Sequence, residues 1–126
     1  MILFFDDSIP RRIVEALRAL GCEARHLSEE LSRSASDEEM LAFLGKHRDW
    51  RLVTQASRMA QRPHERAALM QAGIGVFVFA TRAPTTVEQL MILVLECLPQ
   101  MRARAERLEG PFMIAMSEGR RHKRME

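Results

Sequence analysis

Ile2-Leu3-Phe4-Phe5-Asp6-Asp7-Ser8-Ile9-Pro10 opens the chain with four apolar residues, two acids and a proline suited to the start of a helix. A continuous apolar run cut off by carboxylates predicts a central strand buried on both faces, because a half-exposed strand would alternate apolar with polar. Ser8 is placed to cap the following helix and Pro10 to lie in its first turn. Ile13, Val14, Leu17 and Leu20 then form one apolar face, and Gly21 ends it. Strand, turn and helix in that order are the unit from which parallel α/β sheets are built. Ligands of such sheets gather beyond the carboxyl ends of the strands, so Asp6 and Asp7 are the first candidates for a site.

The same alternation continues outward. Glu23 to Leu27 suggests a short second strand, followed by a polar loop through Ser36. Ser36-Asp37-Glu38-Glu39 has the capping-box form, and Met40, Leu41 and Leu44 give an apolar stripe to a helix from Asp37 to Gly45. Arg51 to Thr54 reads as a third strand, Pro63 to Ala72 as a helix, and Ile74 to Ala80 as a strand built around Val76-Phe77-Val78-Phe79. Thr85 or Thr86 can cap a long helix reaching toward Arg107, which Pro99 would bend or interrupt. Phe112 to Met116, after Gly110-Pro111, reads as a strand at a sheet edge. With no internal repeat and no low-complexity linker, this βαβαβαβαβ order predicts an α/β fold of three layers, a mainly parallel central sheet flanked by helices. The domain is expected to span residues 1–117, with 118–126 a basic C-terminal tail.

Composition narrows the function. The chain has 126 residues, 47% of them hydrophobic, enough for one core without help from a metal or disulfide. Cys22 and Cys97 are too few and too far apart for a disulfide framework or zinc knuckle, and both read as structural thiols. The nine methionines fall mostly at apolar positions such as Met40, Met91 and Met101, which favours core filling over a metal or haem role. No apolar run approaches the roughly 20 residues of a membrane span, and the first residues lack a signal-peptide pattern. A cytoplasmic protein without a membrane partner is expected. The net charge is only +2, yet 17 of the 19 basic residues are arginine, the side chain suited to bidentate phosphate contacts. An RNA or DNA partner is therefore permitted rather than demanded. The closing Gly119-Arg120-Arg121-His122-Lys123-Arg124 reads most simply as a solvated tail.

Four segments together carry a family likeness: Phe4-Phe5-Asp6-Asp7-Ser8-Ile9-Pro10, Ser36-Asp37-Glu38-Glu39, Leu52-Val53-Thr54-Gln55-Ala56-Ser57-Arg58, and Arg62-Pro63-His64-Glu65-Arg66-Ala67-Ala68-Leu69. In this order they resemble the PIN-like domain of VapC-type toxins, and the likeness continues through Gly75-Val76-Phe77-Val78. The resemblance implies a small ribonuclease that uses Mg²⁺ or Mn²⁺ held by acidic side chains. It also implies an RNA substrate, a cognate antitoxin protein that blocks the site, and a homodimer. Asp6 matches the first acidic position of the family and Asp37 the second, with Glu38 beside it as a helper. The family pattern places its next carboxylate on Ala56, so this chain departs from it at a catalytic and metal-binding position.

The chemistry that the resemblance implies suits these residues. Phosphodiester hydrolysis needs an acidified water, a phosphate held in line and neutralisation of the phosphoryl oxygens, and a divalent ion on hard carboxylates supplies all three. Ala56 can coordinate nothing. Arg58, Arg62 and Arg66 are placed to face an RNA backbone, fixing position without reading sequence. Each feature also has a plainer reading. Asp6 and Asp7 suit a turn at a strand-to-helix junction, Asp37 and Glu38 complement a helix dipole, and the three arginines suit a solvated helix face. His64, without a visible partner, suits a surface or cap position. The apolar residues from Val87 to Leu98 cover more than one helix face, which fits either burial on two sides or an interface. Two functions follow as expectations. One is a ribonuclease toxin impaired by alanine at position 56, whether engineered or native; the other is a naturally degenerate, non-catalytic PIN-like module that binds or regulates.

Overall fold

A computed structural model describes residues 1–32, 34–55, 63–79 and 86–116, and the backbone of 122–124. Six strands form one sheet: β1 (Ile2–Phe5), β2 (Ala24–His26), β3 (Trp50–Gln55), β4 (Gly75–Phe79), β5 (Phe112–Met116) and β6 (His122–Arg124), in the spatial order β2-β1-β3-β4-β5-β6. The first five are mutually parallel, and β6 pairs antiparallel with β5. The predicted three-layer α/β fold with a mainly parallel sheet is what the chain adopts.

Consecutive residues of each strand point to opposite faces, and both faces are covered. Leu3, Phe5, Val53, Phe77, Phe79, Phe112, Ile114 and Met116 meet helices α1 (Arg11–Ala19) and α5 (Val87–Arg107). Phe4, Leu52, Val76, Val78 and Met113 meet α2 (Leu27–Glu30), α3 (Asp37–Gly45) and α4 (Pro63–Gln71). The continuous apolar runs in β1 and β4 are the sequence trace of this double burial. Connections through α4 and α5 step the same way across the sheet but lie on opposite faces, so β4–α5–β5 has the opposite hand to β3–α4–β4. Such crossovers nearly always share one hand. Nine-residue α1 alone would leave the aromatic face of β4 and β5 uncovered, and α5 buries Leu90, Leu93, Val94, Cys97, Leu98, Met101 and Ala105 there.

Several local expectations change. Ser8 does not cap α1; the cap position is Pro10, with no side-chain hydrogen bond, and the Ser8 side chain turns to Asp6 instead. Leu20 lies one residue past the helix and is 65% exposed rather than part of the apolar face. The loop expected after β2 contains α2, whose N-terminus is capped by the ring of His26. Strand β5 is interior, because His122–Arg124 of the basic tail adds β6 outside it. The long helix is capped by Thr86 and runs unbroken through Pro99. The capping box of Ser36 and Glu39 forms as expected, and both cysteines are free and buried.

At the amino ends of the strands, Arg51 is buried, and among the described residues no carboxylate forms an ion pair with it. Its guanidinium donates to the carbonyls of Arg48 at 2.6 Å, Leu108 at 2.9 Å and Ala105 at 3.3 Å, and its Cζ stands 5.5 Å from the centre of the Phe112 ring. Burial lowers its pKa. This cation closes the C-terminus of α5, where the helix dipole is negative, and so ties that helix to β3. Register places Arg51 opposite Gly75, and Gly75 opposite Phe112. A Cβ at Gly75 would strike the Phe112 ring and come 2.8 Å from Arg51 Cδ. Gly75→Ala is therefore expected to cost about 1–3 kcal/mol, the usual cost of overpacking, read as a lower midpoint in urea at unchanged slope.

Glu29 ties α1, β2 and α2 together. Arg18 makes two hydrogen bonds to its carboxylate at 2.6 and 2.7 Å, and the His26 N–H donates to it at 2.9 Å. The Arg18 bonds hold the Glu29 pKa down to about 2 against an ordinary 4.5, with burial opposing and the His26 N–H and Arg11 assisting. A depressed folded pKa means that the native state releases its proton more readily than the unfolded chain. The contribution is thus complete above about pH 4.5 and disappears as pH falls toward 2. With Arg18 part-exposed, about 1–2 kcal/mol is expected to be lost in that window, and Glu29→Gln should flatten the loss in pH-dependent urea titrations.

Candidate functional site at the β1/β3 edge

Strand order reverses between β1 and β3, since the chain leaves β1 for β2 on one side and β3 lies on the other. In doubly wound sheets of this order the crevice beyond the two strand ends is the usual ligand position. Asp6 follows the last residue of β1 there, its N–H continuing the pairing to the Val53 carbonyl at 3.2 Å. Thr54 and Gln55 end β3 beside it.

Only 9% of Asp6 is exposed. Its Oδ1 accepts the Ser8 N–H at 3.0 Å and a short hydrogen bond from the Ser8 hydroxyl. Since that hydroxyl gives its proton to the carboxylate, Ser8 Oγ accepts from the Gln55 N–H at 2.9 Å, and it lies 3.2 Å from Thr54 Oγ1. The Gln55 side-chain amide also donates to the Ser8 carbonyl at 2.9 Å. Gln55 thus grips Ser8 twice, and Ser8 grips Asp6 twice. Burial raises the Asp6 pKa, while hydrogen bonds from Ser8 and Thr54 pull it down and the Asp7 charge adds to the rise. Burial thus works against the charged form, which is supported only by these hydrogen bonds.

A second tie comes from β2. The buried His26 ring has both nitrogens engaged: Nδ1 faces the Ser28 N–H at 3.1 Å and Nε2 faces the Ile9 carbonyl at 2.8 Å. A backbone N–H must donate and a carbonyl must accept, so the proton sits on Nε2. His26 therefore pins the Asp6-to-Pro10 turn from the neighbouring strand. Neither this role nor that of Gln55 was identified from sequence; the available signal was a polar residue closing each strand at the same edge as Asp6.

The other expected site residues are placed as follows. Asp7 is exposed beside Asp6. Asp37 and Glu38 are exposed in the first turn of α3, whose C-terminus leads into β3, so the first turn points toward the carboxyl edge. No hydrogen bond or ion pair joins them to Asp6 among the described residues. Arg66 is half-buried on α4 and has an interaction of its own within the chain. His64 is exposed, 4.0 Å from Glu65. Ala56, Arg58 and Arg62 lie outside the described residues.

The donors at this edge, one carboxylate with the Ser8 and Thr54 hydroxyls, are all oxygen and so of the kind that Mg²⁺ or Mn²⁺ accepts. In charge they fall short: among the described residues no group of three or more His, Cys, Asp or Glu stands close enough to hold a metal ion.

Because ionised Asp6 is disfavoured by burial, its folded pKa lies above the ordinary 3.8 and stability is lost as pH rises through the folded value. Asp6→Asn keeps the acceptor for Ser8 and removes the charge, so it should stabilise the protein at pH 7 by about 1 kcal/mol. Ser8→Ala leaves the carboxylate with fewer donors and should cost about 1–2 kcal/mol, both measured by urea unfolding.

A sequence profile of the PIN-like domain matches residues 1–81, which take in β1 to β4 and the whole Asp6 network. No curated protein and no solved structure matches the chain. With Asp6 at the strand-order reversal of an α/β sheet and the profile covering more than half its length, the chain belongs to the PIN-like domain family, a nuclease-type superfamily.

Proposed function

We propose that this chain is a metal-dependent endoribonuclease toxin paired with a cognate antitoxin protein, its cleavage impaired by alanine at position 56. The observation that supports this most directly is Asp6, a carboxylate held at the β1/β3 edge against the cost of its own burial. A purely structural turn would be served as well by asparagine, which carries no such cost.

A bound Mg²⁺ or Mn²⁺ would supply a more acidic water and charge neutralisation at the phosphoryl oxygens. Asp6 would hold it, with Asp37 and Glu38 of the α3 first turn as the further carboxylates in this reading. Ser8 and Gln55 fix the orientation of Asp6, and His26 fixes the turn that follows it. Arg58, Arg62 and Arg66 would take phosphates of the RNA backbone, a contact that positions without selecting sequence. In sequence, position 56 directly follows Gln55, the residue that grips Ser8, and in this reading an acid there would supply a further carboxylate to the site.

One observation favours the non-catalytic alternative, a degenerate PIN-like module that binds or regulates: the charge deficit among the described residues at this edge. Comparing the chain with Ala56→Asp separates the two. The nuclease reading expects Ala56→Asp to gain Mg²⁺- or Mn²⁺-dependent RNA cleavage, to lose it again on adding Asp6→Asn, and to bind Mn²⁺ about tenfold more tightly in titration calorimetry. Folded Ala56→Asp that is silent on several RNAs and unchanged in Mn²⁺ affinity would leave the binding module.

A further inference from the structure

At the amino edge of the sheet, the turn from α3 into β3 sets aromatic rings beside two cations. Lys46-His47-Arg48-Asp49-Trp50 is fixed by backbone hydrogen bonds: Lys46 N–H to the Phe43 carbonyl at 3.1 Å, His47 N–H to Leu44 at 3.0 Å and Trp50 N–H to His47 at 2.9 Å. Strand β3 runs from Trp50 to Gln55, which puts this turn about 17 Å from the Asp6 edge at roughly 3.3 Å per residue.

His47 is the outer member of the ring cluster. Its imidazole stacks on Phe43 with centres 4.3 Å apart and planes at 25°, and its centre is 4.6 Å from that of Trp50. Phe43 and Trp50 are 5.4 Å from each other and both pack on buried Phe4, at 5.6 and 5.9 Å. With those spacings neither ring lies over the face of His47 turned away from Phe43, and His47 is part-exposed. Its Nδ1 meets the Phe43 carbonyl at 2.8 Å, which holds the imidazole plane in place before any ligand arrives. Lys46 and Arg48 on either side are exposed, and among the described residues their side chains have no hydrogen-bond or ion-pair partner. Asp49, the one acid of the turn, faces the Met1 ammonium at 3.8 Å. The negative end of α3 accounts for cations here, but not for an imidazole stacked at the surface on an aromatic cluster. A flat aromatic face between two such cations is the combination that takes a base by stacking and its phosphates by charge.

We propose that this turn is a stacking site for a nucleotide of single-stranded RNA, its base lying on the outer face of His47 and the adjoining phosphates held by Lys46 and Arg48. The choice of RNA rests on the preceding reading, yet the site needs neither metal nor cleavage and would serve a nuclease and a binding module alike. Stacking selects no sequence but requires an unpaired base, so duplex RNA is a poor fit.

The test titrates the full chain, without divalent metal, into a labelled single-stranded adenine oligoribonucleotide of about eight nucleotides, read by anisotropy. Emission of Trp50, the single tryptophan and a direct neighbour of His47, reports stacking. Quenching is expected with the single strand, and binding at least about tenfold weaker with the duplex and with adenosine monophosphate. His47→Ala should lower affinity about tenfold, and His47→Phe should restore it because phenylalanine keeps the stacking face. Lys46→Ala with Arg48→Ala should reduce the slope of log affinity against log salt by about 1.4, the value for two single-strand phosphates. That pair leaves the ring cluster intact, so its outcome stands whatever His47→Ala does to the fold. No binding of the single strand, equal binding of the duplex or the mononucleotide, a His47→Ala loss that is absent or not restored by His47→Phe, or an unchanged salt slope would each overturn the proposal. Cleavage by Ala56→Asp is measured separately with metal present, so failure of this site and failure of the nuclease reading are told apart.

Discussion

Phe4 and Phe5 are neighbours in sequence and both fully buried, which requires an apolar layer on each side of the strand that carries them. This constraint organises the molecule. A strand buried on both faces has no polar side, so charges can enter the interior only at its two ends. The functional features follow that rule. At the amino edge Arg51 enters from β3, and at the carboxyl edge Asp6 enters from the end of β1.

The two charges are satisfied differently, and the difference separates scaffold from site. Arg51 is spent on carbonyls at the end of α5 and the turn before β3, stacked over Phe112, in a space that Gly75 leaves open. It faces inward and locks a helix to a strand. Asp6 has one oxygen committed to Ser8, while its own burial still works against ionisation. Groups that lower stability in one protonation state and sit at a strand-order reversal are what a functional edge is made of. The turn that carries Asp6 is held from both neighbouring strands, by His26 from β2 and Gln55 from β3. Such a doubly held turn fixes the carboxylate in advance of any ligand, which spares the entropy of ordering it on binding.

The strands and long helices were legible in the sequence because their signals are local. The uninterrupted runs Ile2–Phe5 and Gly75–Phe79, the capping boxes at Ser36 and Thr86, and the glycine after α1 each act within a few residues. What escaped was set by contacts distant in sequence. Ser8 looks like a helix cap, yet Asp6 two residues before it and Gln55 forty-seven residues after it compete successfully for its hydroxyl. The interior place of β5 depends on β6, whose His122, Lys123 and Arg124 have no apolar pattern to announce a strand. Such an edge strand needs none, since backbone pairing holds it and charged side chains at an edge discourage pairing with other chains. Asp6 stood out from sequence alone, whereas its supports did not, because Gln55 and His26 become meaningful only once β3 and β2 flank β1.

Helix α5 shows how far such packing overrides local preference. Pro99 cannot donate a backbone hydrogen bond, so the Leu95 carbonyl loses its usual partner, a defect that ordinarily kinks or ends a helix. Both residues lie on the exposed side, where water can reach the freed carbonyl. Just across the helix, Cys97, Leu98, Met101 and Ala105 continue the buried stripe, and Arg51 holds the carbonyls of Ala105 and Leu108 beyond them. A proline one position earlier would instead replace buried Leu98 and free the carbonyl of buried Val94. The helix continues because its break lies on the exposed side and its far end is tied to the sheet, which lets one element cover the aromatic face of β4 and β5 despite a crossover of the uncommon hand.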